Sequence, residues 1–450
     1  MNNDTRYTGR ASLAIVGQYV GQLGIWEMIE ETVSIQQKVI RDRPIDKLKD
    51  CFISILAGGR GLVEVNTRLR PDRGLQAAFG RARCAEQSVI STTLNRCTGE
   101  NVAQMRQVLG EIYRRHSEGY RHHYGEKLQV LDIDLSGLPA GAQGEGVTKG
   151  YFSGQKQRRG RQLGRVVASL YDEIVAEGLY AGRQQLRDRL IELVERAEAV
   201  LELDEERRQQ TLLRIDSGGG SDRHVNALLE GGYQVLVKMY SHNRAAKLAQ
   251  QVSEWVPDDQ DPQREMGWLP QPHPYLRPTR QVAVRVPKAK GGYAYGVLIC
   301  TASTEQLEPL LTEAYPTEHP HRDLLTLVHV YDRRGGAAET QFKGDKQGLG
   351  LTKRNKAAFA AQEMLTLLAQ LAHNLIIWTR ARLRAVSPRF QRLGILRMVR
   401  DGFHTPGLLV LDDHGLLIQV ILSQTYPLAH CFIDAFSAPL SPLSLNLGKI

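Results

Sequence analysis

The stretch Tyr331-Asp-Arg-Arg-Gly-Gly-Ala-Ala-Glu-Thr-Gln-Phe-Lys-Gly-Asp-Lys346 decides how this chain is read. A β-branched, apolar run, Leu324-Leu325-Thr326-Leu327-Val328-His329-Val330, delivers the chain to it, and Gly335-Gly336 then breaks the pattern. Past the break the spacing predicts a helix beginning near Ala337, on which Glu339, Lys343 and Lys346 fall at i, i+4 and i+7. One carboxylate and two ammonium groups therefore share a face, with Tyr331, Arg333 and Arg334 just before it. Such a face is open to two readings. It is either an acid that holds a metal among groups that hold phosphates, or a solvated helix with an ordinary Glu–Lys pair.

Upstream, two strands end in acids. Leu128-Gln-Val-Leu-Asp-Ile-Asp134 is a β-run whose Asp132 and Asp134 point the same way, and Thr211-Leu-Leu-Arg-Ile-Asp216 precedes a glycine-rich turn. Between them Lys149-Gly-Tyr-Phe-Ser-Gly-Gln-Lys-Gln-Arg-Arg-Gly-Arg161 is strongly basic, with Lys149, Arg158, Arg159 and Arg161 around an aromatic pair. Its composition suits a strand-connecting loop lying along a phosphate backbone. Strands over Gly164 to Leu170 and Glu173 to Tyr180 complete an antiparallel meander. A long amphipathic helix over Arg183 to Gln209 follows. The strand Thr211 to Asp216, a helix from Asp222 to Glu230 and a strand from Tyr233 to Met239 form a β-α-β unit.

Proline-rich sequence and two strands, Gln281 to Val286 and Tyr293 to Thr301, mark residues from His242 to Arg322 as a β-rich insertion carrying Trp255 and Trp268. Beyond Lys346 come a long helix over Lys356 to Leu383, Pro388, and a hairpin signal around Asp412-Asp-His-Gly415. The first part of the chain, from Ala11 to His123, is mostly helical. A short helix led by Ser88 would present Ser91, Thr92, Asn95 and Arg96, groups that suit a DNA groove equally with a capped helix in a bundle. The expected division is a helical DNA-binding unit (1–125), a catalytic core in two parts (126–241 and 323–385), the insertion (242–322) and a C-terminal tail (386–450) with no assigned chemistry.

The totals bound the function. The 450 residues are 42% hydrophobic and 24% charged, which is globular composition, and the formal charge of +9 favours a polyanionic partner. The five cysteines are scattered without a C-x-x-C pair, which argues against zinc and disulfide frameworks and fits a reducing cytoplasm. His122-His123 and His319-x-His321 read as surface residues. Neither a membrane span nor a signal peptide is expected.

Asp134, Asp216 and Glu339 thus form an oxygen-only donor set, which selects Mg²⁺ or Mn²⁺ over zinc. Four pieces of this chain together resemble the DDE class of bacterial insertion-sequence transposases, in the branch with a β-strand insertion before the glutamate. They are Leu131-Asp-Ile-Asp-Leu-Ser136, Lys149-Gly-Tyr151 with Arg159-Gly-Arg161, Arg214-Ile-Asp-Ser-Gly218, and a Tyr-Arg-Glu-Lys signature at Tyr331, Arg334, Glu339 and Lys346. The resemblance selects Asp134 over Asp132. It implies an α/β, RNase H-like mixed sheet with flanking helices, and two Mg²⁺ ions (Mn²⁺ can substitute) on Asp134, Asp216 and Glu339. It further implies cleavage of double-stranded DNA at the element's ends, strand transfer into target DNA, and a homodimeric synapse in the cytoplasm at the nucleoid. Tyr331, Arg334 and Lys346 would grip phosphates, with Arg333, Lys343 and the basic loop beside them. Four residues, where the family's spacing has three, separate Arg334 from Glu339, so Arg333 stands as an alternative to Arg334. A transposase-derived DNA-binding protein without catalysis and a same-fold nuclease are the competing functions.

Overall fold

The computed structural model describes residues 4–39, 41–152, 155 and 157–450. Strand β1 (Asp4–Thr8) opens the chain, and helices fill most of the segment up to His116. A mixed sheet follows: β2 (Gln129–Pro139), β3 (Thr148–Lys149), β4 (Arg159–Ala168), β5 (Glu173–Ala181), β6 (Thr211–Ile215), β7 (Gln234–Lys238), β8 (Val256–Pro257), β9 (Glu265–Trp268), β10 (Arg280–Pro287) and β11 (Tyr293–Cys300). Strands β12 (Gly407–Leu411), β13 (Leu417–Ser423) and β14 (Ser444–Gly448) close the chain as a second sheet with β1.

Within the main sheet β5, β4, β2, β6 and β7 lie side by side; β2, β6 and β7 run parallel and β4 runs against its neighbours. This is a mixed sheet of the RNase H-like order that the resemblance implies. The central strands are apolar on both faces, as strands covered on both sides must be. Leu131, Ile133, Leu213 and Ile215 join one core, while Val130 and Leu212 join another on the opposite face, under the helix Arg322–Arg334. Asp132, Asp134, Arg214 and Asp216 share the parity of Val130 and Leu212, so their side chains face that helix.

A third core belongs to the helical part of the molecule. The helix Phe359–Val386, buried along most of its length, is wrapped by the N-terminal helices and by the segments after Pro388. Pairing of β1 with β12 places the two ends of the chain in one sheet. Residues 387–450 therefore pack with the N-terminal helices around the helix Phe359–Val386.

Four sequence expectations change. The run Leu324 to Val330 is part of the helix Arg322–Arg334, and Gly335-Gly336 does not break it. All seven residues are buried, so the run has no polar face from which a period can be read. The long helix expected over Arg183 to Gln209 is a 3₁₀ turn at Leu186–Asp188 and two helices, Leu190–Leu201 and Glu205–Gln209. Glu202, with φ +52°, ends the first, and the Asp204 side chain caps the second. The strands of the insertion do not form a sheet of their own. Strand β11 pairs with β7, which carries β10, β9 and β8 onto the edge of the main sheet. His122 is buried, with its ring nitrogens against the Tyr171 hydroxyl and the Lys127 carbonyl. No helix among the described residues is long and apolar enough to cross a membrane.

Candidate active site

The two acid-tipped strands are parallel neighbours in register, Ile133 opposite Ile215. That register brings Asp134 and Asp216 to the same end of adjacent strands, where open α/β sheets present their ligands. Asp132 sits one pair deeper and is already committed. Both its oxygens accept from Arg214 (2.6 and 2.7 Å), and the Ser169 hydroxyl donates to it at 2.6 Å. Arg214 also donates to the Val330 carbonyl at 2.5 Å, tying the helix Arg322–Arg334 to the sheet. Asp134 and Asp216 instead use one oxygen each locally, accepting from Leu135 N–H and Gly218 N–H at 2.8 Å. Their second oxygens face the helix.

That helix carries the fourth residue between Arg334 and Glu339. Arg322–Arg334 continues through a π-helical turn, Gly335–Glu339, into the helix Thr340–Gly348 without interruption. A π turn holds one residue more than an α turn, so the wider Arg–Glu spacing is absorbed there. Glu339 ends the π turn on the same side as Arg334. Nη2 of Arg334 is 3.1 Å from Asp134 Oδ2 and 3.8 Å from Asp216 Oδ2, and Nη1 is 3.8 Å from Glu339 Oε1. Three carboxylates from three separate elements thus surround one guanidinium. Arg333 points elsewhere, donating to the Leu310 carbonyl at 2.8 Å and to the Thr312 hydroxyl.

The electrostatics follow from burial. Asp134 is pushed up to about 6, first by desolvation and then by Asp216 and Glu339, with Arg334 pulling the other way. Burial by itself would lower Arg334; the facing acids, Asp134 foremost, outweigh it and raise it. Burial also raises the Tyr331 hydroxyl, one turn before Arg334. The Nε and Nη2 protons of Arg334 are buried and lack a well-aligned acceptor, which leaves donors ready for an additional oxygen.

Lys346 lies opposite, half-buried, donating to Ser136 Oγ at 2.6 Å. Burial and Arg165 lower its pKa. Under it runs a network that the sequence reading missed. Arg165 pairs with Glu177 (2.5 Å) and with Asp345 (2.7 Å), and Asp345 meets His373 Nδ1 at 2.8 Å. All four side chains are essentially without solvent contact, and together they lock the helix Thr340–Gly348 to β4 and β5. A lone arginine in the apolar run of β4, directly across from Asp134, was the available signal.

A cleft of about 600 Å³ leads from Asp134, Asp216 and Lys346 to Tyr151 and Arg158. Lys149, Arg158, Arg159 and Lys343 are exposed. Arg161 is not: it is 1% exposed and donates to the carbonyls of Glu145, Lys356 and Ala357, so it braces the protein and does not face a phosphate backbone. Ser153, Gly154 and Lys156 of the basic stretch lie outside the described residues. In the N-terminal part, the helix Gln87–Arg96 exposes Ser88, Thr92, Asn95 and Arg96. Its cap is Glu86, not Ser88, and Ser91 turns inward to accept from Lys356 Nζ at 2.6 Å. A hollow of about 770 Å³ beside this helix is lined by Lys38, Arg41, Arg70, Arg73 and Arg83.

Among known protein families, the one described as "Transposase DDE domain group 1" matches residues 5–436. No curated protein matches. Among solved structures, a piggyBac transposase in a synaptic complex with hairpin DNA is 13% identical, covers 90% of this chain and 84% of its own, and has a TM-score of 0.43.

Proposed function

The chain belongs to the Transposase DDE domain group 1 family, and from that premise we propose that it cuts DNA at the ends of a mobile element and joins them to target DNA, with Asp134, Asp216 and Glu339 as the catalytic acids. The observation that carries this is their convergence around the Arg334 guanidinium, within 3.1 to 3.8 Å. A donor set made of carboxylate oxygens, already enclosing a positive charge, fits the hard divalent ions on which this family depends. Mg²⁺ is the ion we propose, with Mn²⁺ able to replace it. Such ions, when bound, supply activation of the attacking oxygen and stabilisation of the leaving one.

The chain's own residues do the rest. Asp134, near 6 when no divalent ion is bound, has to be ionised to act as a ligand, so cation binding competes with its proton. Arg334 offers guanidinium donors to the phosphate that approaches the acids, and Lys346 offers its ammonium from the Ser136 side. Tyr331 stays a phenol and donates a hydrogen bond. Arg158, Arg159 and Lys149 steer the backbone along the cleft. The exposed face of Gln87–Arg96 and the basic hollow beside it engage DNA away from the cut. Cutting two ends together calls for a second copy of the chain, hence a homodimer on DNA.

The test is to incubate the protein with DNA bearing its flanking inverted repeats and Mg²⁺. Joined products that vanish in Asp216→Ala support the proposal. Binding without cleavage makes the chain a DNA-binding derivative, and cleavage without joining makes it a nuclease.

A further inference from the structure

His329 lies on the same helix as Arg334 but meets the edge of the sheet where β8 ends and the chain turns through Asp258 and Asp259. Its Nε2 is 2.9 Å from Asp258 Oδ1 and 3.5 Å from Asp259 Oδ1, and its side chain is 3% exposed. Its Nδ1 is 2.6 Å from the Tyr315 hydroxyl, and that hydroxyl is 2.9 Å from Asp259 Oδ2. A neutral imidazole and a phenol bring two protons to three close contacts: Nε2 to Asp258, Nδ1 to Tyr315, and Tyr315 to Asp259. However the protons are arranged, one contact sets lone pair against lone pair. With Tyr315 donating to Asp259 and Nδ1–H donating to Tyr315, the bare Nε2 faces two carboxylates. A buried contact of that kind needs a positive charge between its partners, either a third proton or a metal ion.

We propose that Asp258, Asp259 and His329 bind a divalent transition-metal ion, of the zinc or manganese type, in a site separate from the three acids. One ligand atom from each residue lies within 4.8 Å of the other two. Ligands held roughly 2.0–2.2 Å from an ion stand about 3.0–3.5 Å from one another in octahedral or tetrahedral geometry, which the separations of 2.9 and 3.5 Å match. Imidazole nitrogen with two carboxylates favours such ions over Mg²⁺. The surroundings orient the ligands as metal sites require. Tyr315 fixes the Nδ1–H tautomer, and Arg264 holds the other oxygen of Asp258 while also pairing with Asp332. Asp259, half exposed, opens the site to solvent for entry and for the remaining ligand. A bound ion would clamp the loop after β8 to the helix that presents Tyr331 and Arg334.

The experiment uses full-length Asp134→Asn/Asp216→Asn protein, in which the other acid cluster is disarmed. It is stripped with EDTA, exposed to Zn²⁺ or Co²⁺, desalted and assayed for metal. One retained equivalent of Zn²⁺, and visible d–d absorption with Co²⁺, are expected. His329→Gln abolishes retention. Tyr315→Phe, which keeps the packed ring, weakens affinity about 10–100-fold. The proposal is overturned if no metal is retained, or if both substitutions leave retention unchanged. Nitrogen-15 shifts showing His329 protonated on both nitrogens, unaltered by Zn²⁺, also overturn it, because a third proton then fills the cation's place.

Discussion

Arg334→Gln removes the positive charge that lies within 3.8 Å of all three carboxylates. At an effective dielectric constant of about 20, unit charges attract by roughly 5 kcal/mol at 3.1 Å and roughly 4 kcal/mol at 3.8 Å. These do not add at face value. Asp216 and Glu339 are 38% and 66% exposed, so solvent screens them and the Asp134 pair dominates. Arginine's own burial is costly as well, and glutamine escapes it. Breaking a buried pair by deleting one partner costs about 3–5 kcal/mol, and that is the loss expected in EDTA at neutral pH, read from urea denaturation. The diagnostic part is the response to Mg²⁺. With the guanidinium gone, the carboxylates are free to take a divalent ion. A ligand at a hundred times its Kd stabilises by about 2.7 kcal/mol, so millimolar Mg²⁺ should raise the midpoint of the variant more than that of the wild type. A variant as stable as wild type in EDTA, or one with no larger response to Mg²⁺, refutes the reasoning.

Four further outcomes are expected. Because the folded pKa of Asp134 lies near 6, above its unfolded value of 3.8, the native state holds an extra proton in between, and the ionised form costs stability as pH rises through that window. Asp134→Asn in EDTA should therefore gain on wild type by up to about 3 kcal/mol between about pH 4 and pH 6 in thermal melts, on top of a pH-independent loss from leaving Arg334 without its nearest partner. Arg165→Met strands Glu177 in the interior, leaves Asp345 with His373 alone, and should cost about 3–5 kcal/mol by urea denaturation. Arg161→Ala should cost about 3 kcal/mol through lost charged hydrogen bonds. By contrast, Arg158→Ala should leave stability within about 0.5 kcal/mol and lower the salt slope of DNA binding by about one.

The sequence carried the strands that hold two of the acids, because each is a short apolar run ending in a carboxylate, and the choice of Asp134 over Asp132 agrees with Arg214 consuming the latter. It also carried the solvent-facing side of the following helix, where Glu339 and Lys343 are exposed, so charge pattern reports them. The approach to that signature was illegible because Leu324 to Val330 is buried all round. Only the backbone reveals that the extra residue between Arg334 and Glu339 is a π turn. Local pattern also could not show that β11 docks on β7, or that Arg161 turns inward to carbonyls almost two hundred residues away in the chain. Such pairings are set by tertiary partners, which a one-dimensional period does not encode.

The most direct test is metal-dependent cleavage of end-bearing DNA by Asp134→Asn, Asp216→Asn and Glu339→Gln, each checked for folding and DNA binding. All three should bind DNA and cut at background level, since each would remove one wall of the proposed cation site. A single variant that cuts at the wild-type rate would contradict the assignment of these carboxylates to one catalytic centre.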